Sequence, residues 1–296
     1  VVLNIVTGGA VRLTDSGLGC PDWPTCARRS LTPALSFHPA VEFGNRMVVV
    51  VLTVAVVAVL LAAWRRRPFR RDLVWLSGAL VAGVIGEALL GAVVVYSKLN
   101  PYAVMTHFMV GIALLSAATA LALRAGREPG PSRRLDQGTR PLAVALVGTL
   151  LLAVMAGTAT TGAGPHAGGP GAVRLPVPLA DMARTHSSLV LVTGALVLLE
   201  LWLLDRRRAP GAVQDRLRLL LAAMVAQGLV GYTQYFLHEP ALLVGVHLLG
   251  ASVVWTAALW FLSGLRGVPA AANRSAPEPP APLGTEVARP GAAVAP

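Results

Sequence analysis

Charged residues make up only 13% of this 296-residue sequence and aromatic residues only 5%, while 55% of it is hydrophobic. A soluble domain carries about a quarter charged residues, so this one cannot cover its surface in water; it belongs in a bilayer. Cysteine is almost missing too, with only Cys20 and Cys26, in "GLGCPDWPTC" (17–26). Two thiols with no adjacent histidine make a poor metal site. A short spacer with two prolines, in a loop expected to face an oxidising compartment, favours a disulfide closing a small loop; a pair of free, unreactive thiols is the alternative. Surplus basic surface is also lacking. Of the 25 Lys and Arg behind the net charge of +11, all but seven lie in 65–71, 124–140, 206–218 and after 265. Alternate loops hold only Arg12, Arg28, Arg29, Arg46, Lys98, Arg174 and Arg184. The positive-inside rule accounts for that pattern and makes the Arg-rich loops cytoplasmic. No basic face remains for nucleic acid, which is therefore not expected as a partner.

What is present is a series of apolar runs, each long enough to cross roughly 30 Å of hydrocarbon. They cover 42–64, 73–96, 101–124, 141–161, 179–204, 216–237 and 241–265. An eighth, "VVLNIVTGGAV" (1–11), is too short to cross, so the natural N-terminus is expected upstream of Val1; no basic segment precedes the run to mark it as a signal peptide. The fold expected is an all-α integral membrane protein of eight transmembrane helices, the first truncated, with both termini cytoplasmic. Residues 266–296, rich in Pro and Ala, read as a disordered tail.

Two segments align without a gap: "EALLGAVVVYSKLNPYAVMTH" (87–107) and "QGLVGYTQYFLHEPALLVGVH" (227–247). Leu89/Leu229, Gly91/Gly231, Val104/Val244 and His107/His247 are identical, and Glu87 faces Gln227 in the alignment. Each segment is the outer end of one span, a short turn and the start of the next. Asn45 and His186 stand near the starts of equivalent spans, and "VTGGAVRLTDSGLG" matches "MAGTATTGAGPHAGG" more loosely. The chain reads as two duplicated four-helix bundles, 1–124 and 141–265, joined by a cytoplasmic linker at 125–140.

On that plan His107, His186 and His247 share one depth, about two turns in from the outer surface. Ionisable groups inside a membrane are costly and normally face a bundle interior with a partner. A pair of helix-borne imidazoles facing each other in an apolar bundle suits heme, whose iron takes two axial nitrogens. His186 and His247 make such a pair. His107 would hold a second heme in the N-terminal half, and opposite it stands Asn45. Glu42, Asn45 and Arg46, in "VEFGNR" (41–46), share one helix face. Arg46 has two readings, neutralising a propionate or pairing with Glu42. Glu42 reads as an ionised partner, as a proton acceptor beside a reacting centre, or as a helix cap. Glu87 lies deep in a span with no obvious structural need. His38, His166 and His238 fall in loops or at their edges.

The motifs "TGGAVRLTDSGLGCPDWPTC" (7–26), "EFGNR" (42–46), "THFMVG" (106–111), "TGAGPHAGG" (161–169), "RTHSSL" (184–189) and "VHLLGAS" (246–252) resemble heme A synthase in its actinobacterial form, over residues 1–265. The resemblance implies an oxidoreductase of the bacterial cell membrane that oxidises the C8 methyl of heme O to the formyl group of heme A, for assembly of cytochrome aa3-type oxidases. It implies heme b held by His186 and His247, the substrate heme O bound towards the outer side with His107 as one ligand, and Glu42 as the catalytic carboxylate. It also matches the loop pair Cys20 and Cys26. A heme O synthase is the implied donor; the electron partner and any homo-oligomer are left open. The family motif E-x-x-H-R is broken at Asn45, a poor iron ligand. The rival functions are a di-heme b electron-transfer protein without chemistry on its hemes, and a transporter.

Overall fold

The computed structural model describes residues 1–26, 33, 35–127 and 138–265. The tail and most of the linker read above lie outside the described residues. Those residues form eight α-helices and no strand: α1 (Val2–Leu13), α2 (Phe37–Arg65), α3 (Arg71–Tyr96), α4 (Pro101–Ala125), α5 (Arg140–Ala163), α6 (Leu179–Arg206), α7 (Gly211–Phe236) and α8 (Ala241–Gly264). Helices α2 to α8 are each long and apolar enough to cross a bilayer, and the chain is a multi-pass membrane protein. Rows of exposed apolar side chains, such as Val50, Val51 and Val54 on α2, fit a surface solvated by lipid.

Local signals set several helix ends. Asn100 caps α4, its side chain accepting from the amides of Tyr102 at 3.0 Å and Ala103 at 3.4 Å, and Pro101 occupies the first turn, where no donor is lost. Arg65, Arg124 and Arg206 close α2, α4 and α6, cations against the negative ends of the helix dipoles. Helix α2 starts at Phe37, five residues before the apolar run, because Pro39 sits in its first turn and is tolerated there.

The helices pack as two rings. In the first, α1 meets α2, α2 meets α3, α3 meets α4 and α4 returns to α1; in the second, α5 to α8 do the same. Among the described residues the diagonal pairs α2/α4 and α6/α8 do not approach through their backbones, so only side chains span each ring. The rings join through α4 against α8, with α1 against α8 and α4 against α5 on either side. Trp255 on α8 donates its indole N–H to Ser116 Oγ on α4 at 2.8 Å across that junction.

The turns after α3 and α7 match residue by residue. Lys98 and Leu99 have φ of 53° and 62°, and His238 and Glu239 have φ of 61° and 62°. Leu99 N donates to Val94 O at 2.9 Å and Glu239 N to Gln234 O at 2.7 Å. Left-handed conformations are uncommon for residues other than glycine, so the same pair of them, 140 positions apart, is a specific likeness.

Glu200, on α6, is fully buried at 0% exposure, and neither carboxylate oxygen has a hydrogen-bond partner among the described residues. It lies beside the apolar core that includes Val197 and Leu204. Leaving a buried polar group unsatisfied costs about 1–3 kcal/mol. Glu200→Leu is therefore expected to stabilise the fold by that order, read as a raised Tm in detergent.

Candidate functional site

His107, His186 and His247 all lie early in their helices, at the same end of the molecule as the turns just described. His186 Nδ1 donates to the carbonyl of Ala153 on α5 at 2.7 Å. A carbonyl only accepts, so the proton is on Nδ1 and Nε2 is left with a free lone pair. His247 is anchored through its backbone, whose carbonyl accepts from Gln227 Nε2 on α7 at 2.6 Å. Its ring Nδ1 has no hydrogen-bond partner among the described residues.

The two rings have centroids 6.2 Å apart and an interplanar angle of 73°. A metal–imidazole bond is about 2 Å long, and two imidazoles bound to opposite sides of one metal put their centroids about 6 Å apart. The pair therefore has the separation that a heme iron between two axial ligands requires. Among the described residues no three His, Cys, Asp or Glu side chains cluster to hold a lone metal ion.

Glycines form the backing of these rings. A Cβ at Gly157 would stand 3.1 Å from His186 Cε1, and one at Gly231 3.0 Å from His247 Cε1. Gly231→Ala is expected to shift the His247 ring by a few tenths of an ångström, with the change in Tm kept small by the helix propensity that alanine adds. In the first ring the corresponding gaps are looser: a Cβ at Gly91 would lie 3.9 Å from His107 Cε1, and one at Gly8 4.0 Å from Asn45 Oδ1. Asn45 Oδ1 accepts from Thr7 Oγ1 of α1 at 2.7 Å, so its side chain is held by α1. His107 Nδ1 lies in contact with Glu87 Oε2 of α3, outside the geometry of a hydrogen bond.

Glu42 and Arg46 turn to the loop that ends α1. Glu42 Oε2 accepts from Cys20 N at 2.7 Å, and Glu42 Oε1 from Arg46 Nη2 at 2.7 Å. Arg46 Nη1 also donates to the carbonyls of Asp22 at 2.9 Å, Pro24 at 3.2 Å and Thr25 at 2.9 Å. Cys20 and Cys26 are joined as a disulfide, and both are buried. Of the two partners read for Arg46, the structure provides Glu42. Both Nη nitrogens of Arg46 also reach carbonyls of the disulfide loop.

The loops of the two rings are tied together on this face. Arg12 Nη2 donates to Thr161 O at 2.7 Å and Gly17 N to Gly168 O at 2.8 Å. His166 Nε2 donates to Glu239 O at 2.8 Å, and His38 Nδ1 lies 3.1 Å from Ser16 Oγ. His38 and His166 thus hold loops. At Glu239, burial in this layer pushes the carboxyl pKa up, partly offset by the neighbouring His166.

Sequence reasoning did not anticipate Thr7, Ala153 or the glycine backing. Gly91 and Gly231 were identical in the alignment, a signal without a stated cause until the rings lie against them. Thr7 and Ala153 carry no signal of their own, since one acts through a hydroxyl and the other through a backbone carbonyl.

A family model described as "Cytochrome oxidase assembly protein" matches residues 1–38 and 32–168. A "Heme A synthase" of Geobacillus kaustophilus is 36% identical over 130 residues, 42% of this chain and 40% of that protein. Proteins of the same name from Geobacillus thermodenitrificans and Lysinibacillus sphaericus are 35% identical over 132 residues and 32% identical over 124. The chain spans about two fifths of the length of these relatives. His186 and His247 lie beyond the residues that the family model matches.

Proposed function

The chain belongs to the cytochrome oxidase assembly protein family, and on that premise we propose that it is a heme A synthase, oxidising the C8 methyl of heme O to a formyl group. The observation that carries the proposal is the facing pair His186 and His247, 6.2 Å apart across the second ring. These two residues would hold heme b. His107 would bind the substrate heme O in the first ring, opposite Asn45, which is fixed by Thr7 rather than free to act as a ligand. The heme groups supply the redox chemistry when bound; the chain supplies position, an apolar surround and electrostatics. Glu42 would set the charge at the outer edge of the substrate pocket while anchoring the loop above it.

The matched turns at Lys98–Leu99 and His238–Glu239 support a duplication into halves 1–124 and 141–265. The distribution of arginines supports cytoplasmic termini in a bacterial cell membrane, with both heme sites towards the outer face. A heme O synthase is the partner that this function requires.

The test is to express the chain with a heme O synthase, purify it in detergent and identify the extracted hemes by chromatography and mass spectrometry. Heme A or its hydroxylated precursor beside heme b supports the synthase. Heme b alone, with heme O available, would instead make the protein a di-heme electron carrier.

A further inference from the structure

The two rings treat their histidines differently. In the second ring the neighbours are neutral. His186 Nδ1 has a backbone carbonyl, His247 Nδ1 has no hydrogen-bond partner among the described residues, and Gln227 is turned to the His247 backbone. In the first ring Glu87 occupies the place that corresponds to Gln227, and its Oε2 lies against His107 Nδ1, in contact though not in hydrogen-bond geometry. The same position on the same kind of helix therefore reaches a ring nitrogen in one half and a backbone oxygen in the other.

Packing does not explain the acid. The Glu87 side chain is 8% exposed, and its Oε1 has no hydrogen-bond partner among the described residues. That oxygen faces Gly111, where a Cβ would stand 3.5 Å away. A glutamine of the same length fills the equivalent site in the other half without bringing a charge into the membrane, and a buried charge costs far more than a buried amide. The only described group that Glu87 engages is the His107 ring.

We infer that Glu87 is a positioning residue of the substrate pocket: its carboxylate, set against the Nδ1 edge of His107, takes the Nδ1–H when heme is bound, leaves Nε2 for the iron, and makes that imidazole the most electron-rich of the three. A carboxylate on the far nitrogen fixes the tautomer of a ligand histidine and raises its basicity, which a carbonyl does less and an absent partner not at all. A stronger donor ligand favours ferric over ferrous iron. The heme of the first ring thereby has a lower reduction potential than the same site would have without Glu87. This inference rests on the heme reading of His107 proposed above.

The experiment uses the full chain loaded with heme in the cell, with the heme of the first ring defined as the component lost in His107→Ala. Resonance Raman of the reduced protein reads its iron–histidine stretch, and a redox titration reads its potential. In Glu87→Gln the stretch is expected to fall in frequency and the potential to rise, with retention of that heme about 10–100-fold weaker. The heme lost in His247→Ala should keep its spectrum, and Glu87→Asp should recover part of the shift. A Glu87→Gln protein that keeps the His107-dependent heme with an unchanged stretch and potential would overturn the role of Glu87 and leave the heme reading standing. An unsubstituted protein with no His107-dependent heme would overturn that reading, and this inference with it.

Discussion

On the proposed function, Glu42→Ala is expected to abolish formation of heme A and to loosen the disulfide loop in the same stroke. The carboxylate is 7% exposed and bonds both Arg46 and Cys20 N, so its removal leaves a guanidinium only 15% exposed without its counter-charge. Breaking a buried pair from one side costs about 3–5 kcal/mol. Loss of a positioned carboxylate near a reacting group lowers rates about 10²–10⁴-fold. Glu42→Gln keeps the bond from Cys20 N through its amide oxygen but sets its NH2 against Arg46 Nη2, so it removes the charge and leaves one of the two anchors. Heme A yield beside the rate of disulfide reduction by added thiol reads both. If Glu42→Gln makes heme A at the normal rate, Glu42 is an anchor for the loop and nothing more.

The second large effect is expected at His247. His247→Ala removes one of the two imidazoles whose rings lie 6.2 Å apart in the second ring and, on the proposed function, the low-spin absorbance of a heme with two nitrogen ligands. His186→Ala should do the same. Because His186 is oriented by Ala153 and His247 through its backbone by Gln227, neither substitution takes a hydrogen-bond partner from another side chain. The helices should remain folded by circular dichroism while the heme content falls. Retention of the full low-spin spectrum in both variants would remove the pair from the heme site.

The seven long helices were legible because apolar runs of that length have few other uses. Their boundaries were less so. Helix α7 begins at Gly211 although hydropathy rises only near residue 216, since Gln214, Asp215 and Arg216 continue the helix beyond the apolar run. Glu42 and Arg46 stood out as polar residues opening an apolar stretch, yet nothing in their spacing says that a loop some twenty residues earlier folds back onto them. That contact depends on where α1 ends, and hydropathy carries no such information. The polar side chain at Glu87 was visible too, but its partner twenty residues away becomes definite only when α3 and α4 lie side by side. Glu200 passed unnoticed because one acid in the long apolar run of α6 barely changes its mean hydropathy.

The stapled loop has a consequence for maturation. Helices of this kind take shape from their own sequence once in the bilayer, but the bond between Cys20 and Cys26 forms only where the surroundings are oxidising. The clasp in which Arg46 holds the carbonyls of Asp22, Pro24 and Thr25 depends on a loop whose shape that bond maintains. That edge of the first ring is thus completed by the redox state around the loop as well as by the chain. Material produced under reducing conditions would carry all eight helices and an unfastened cover.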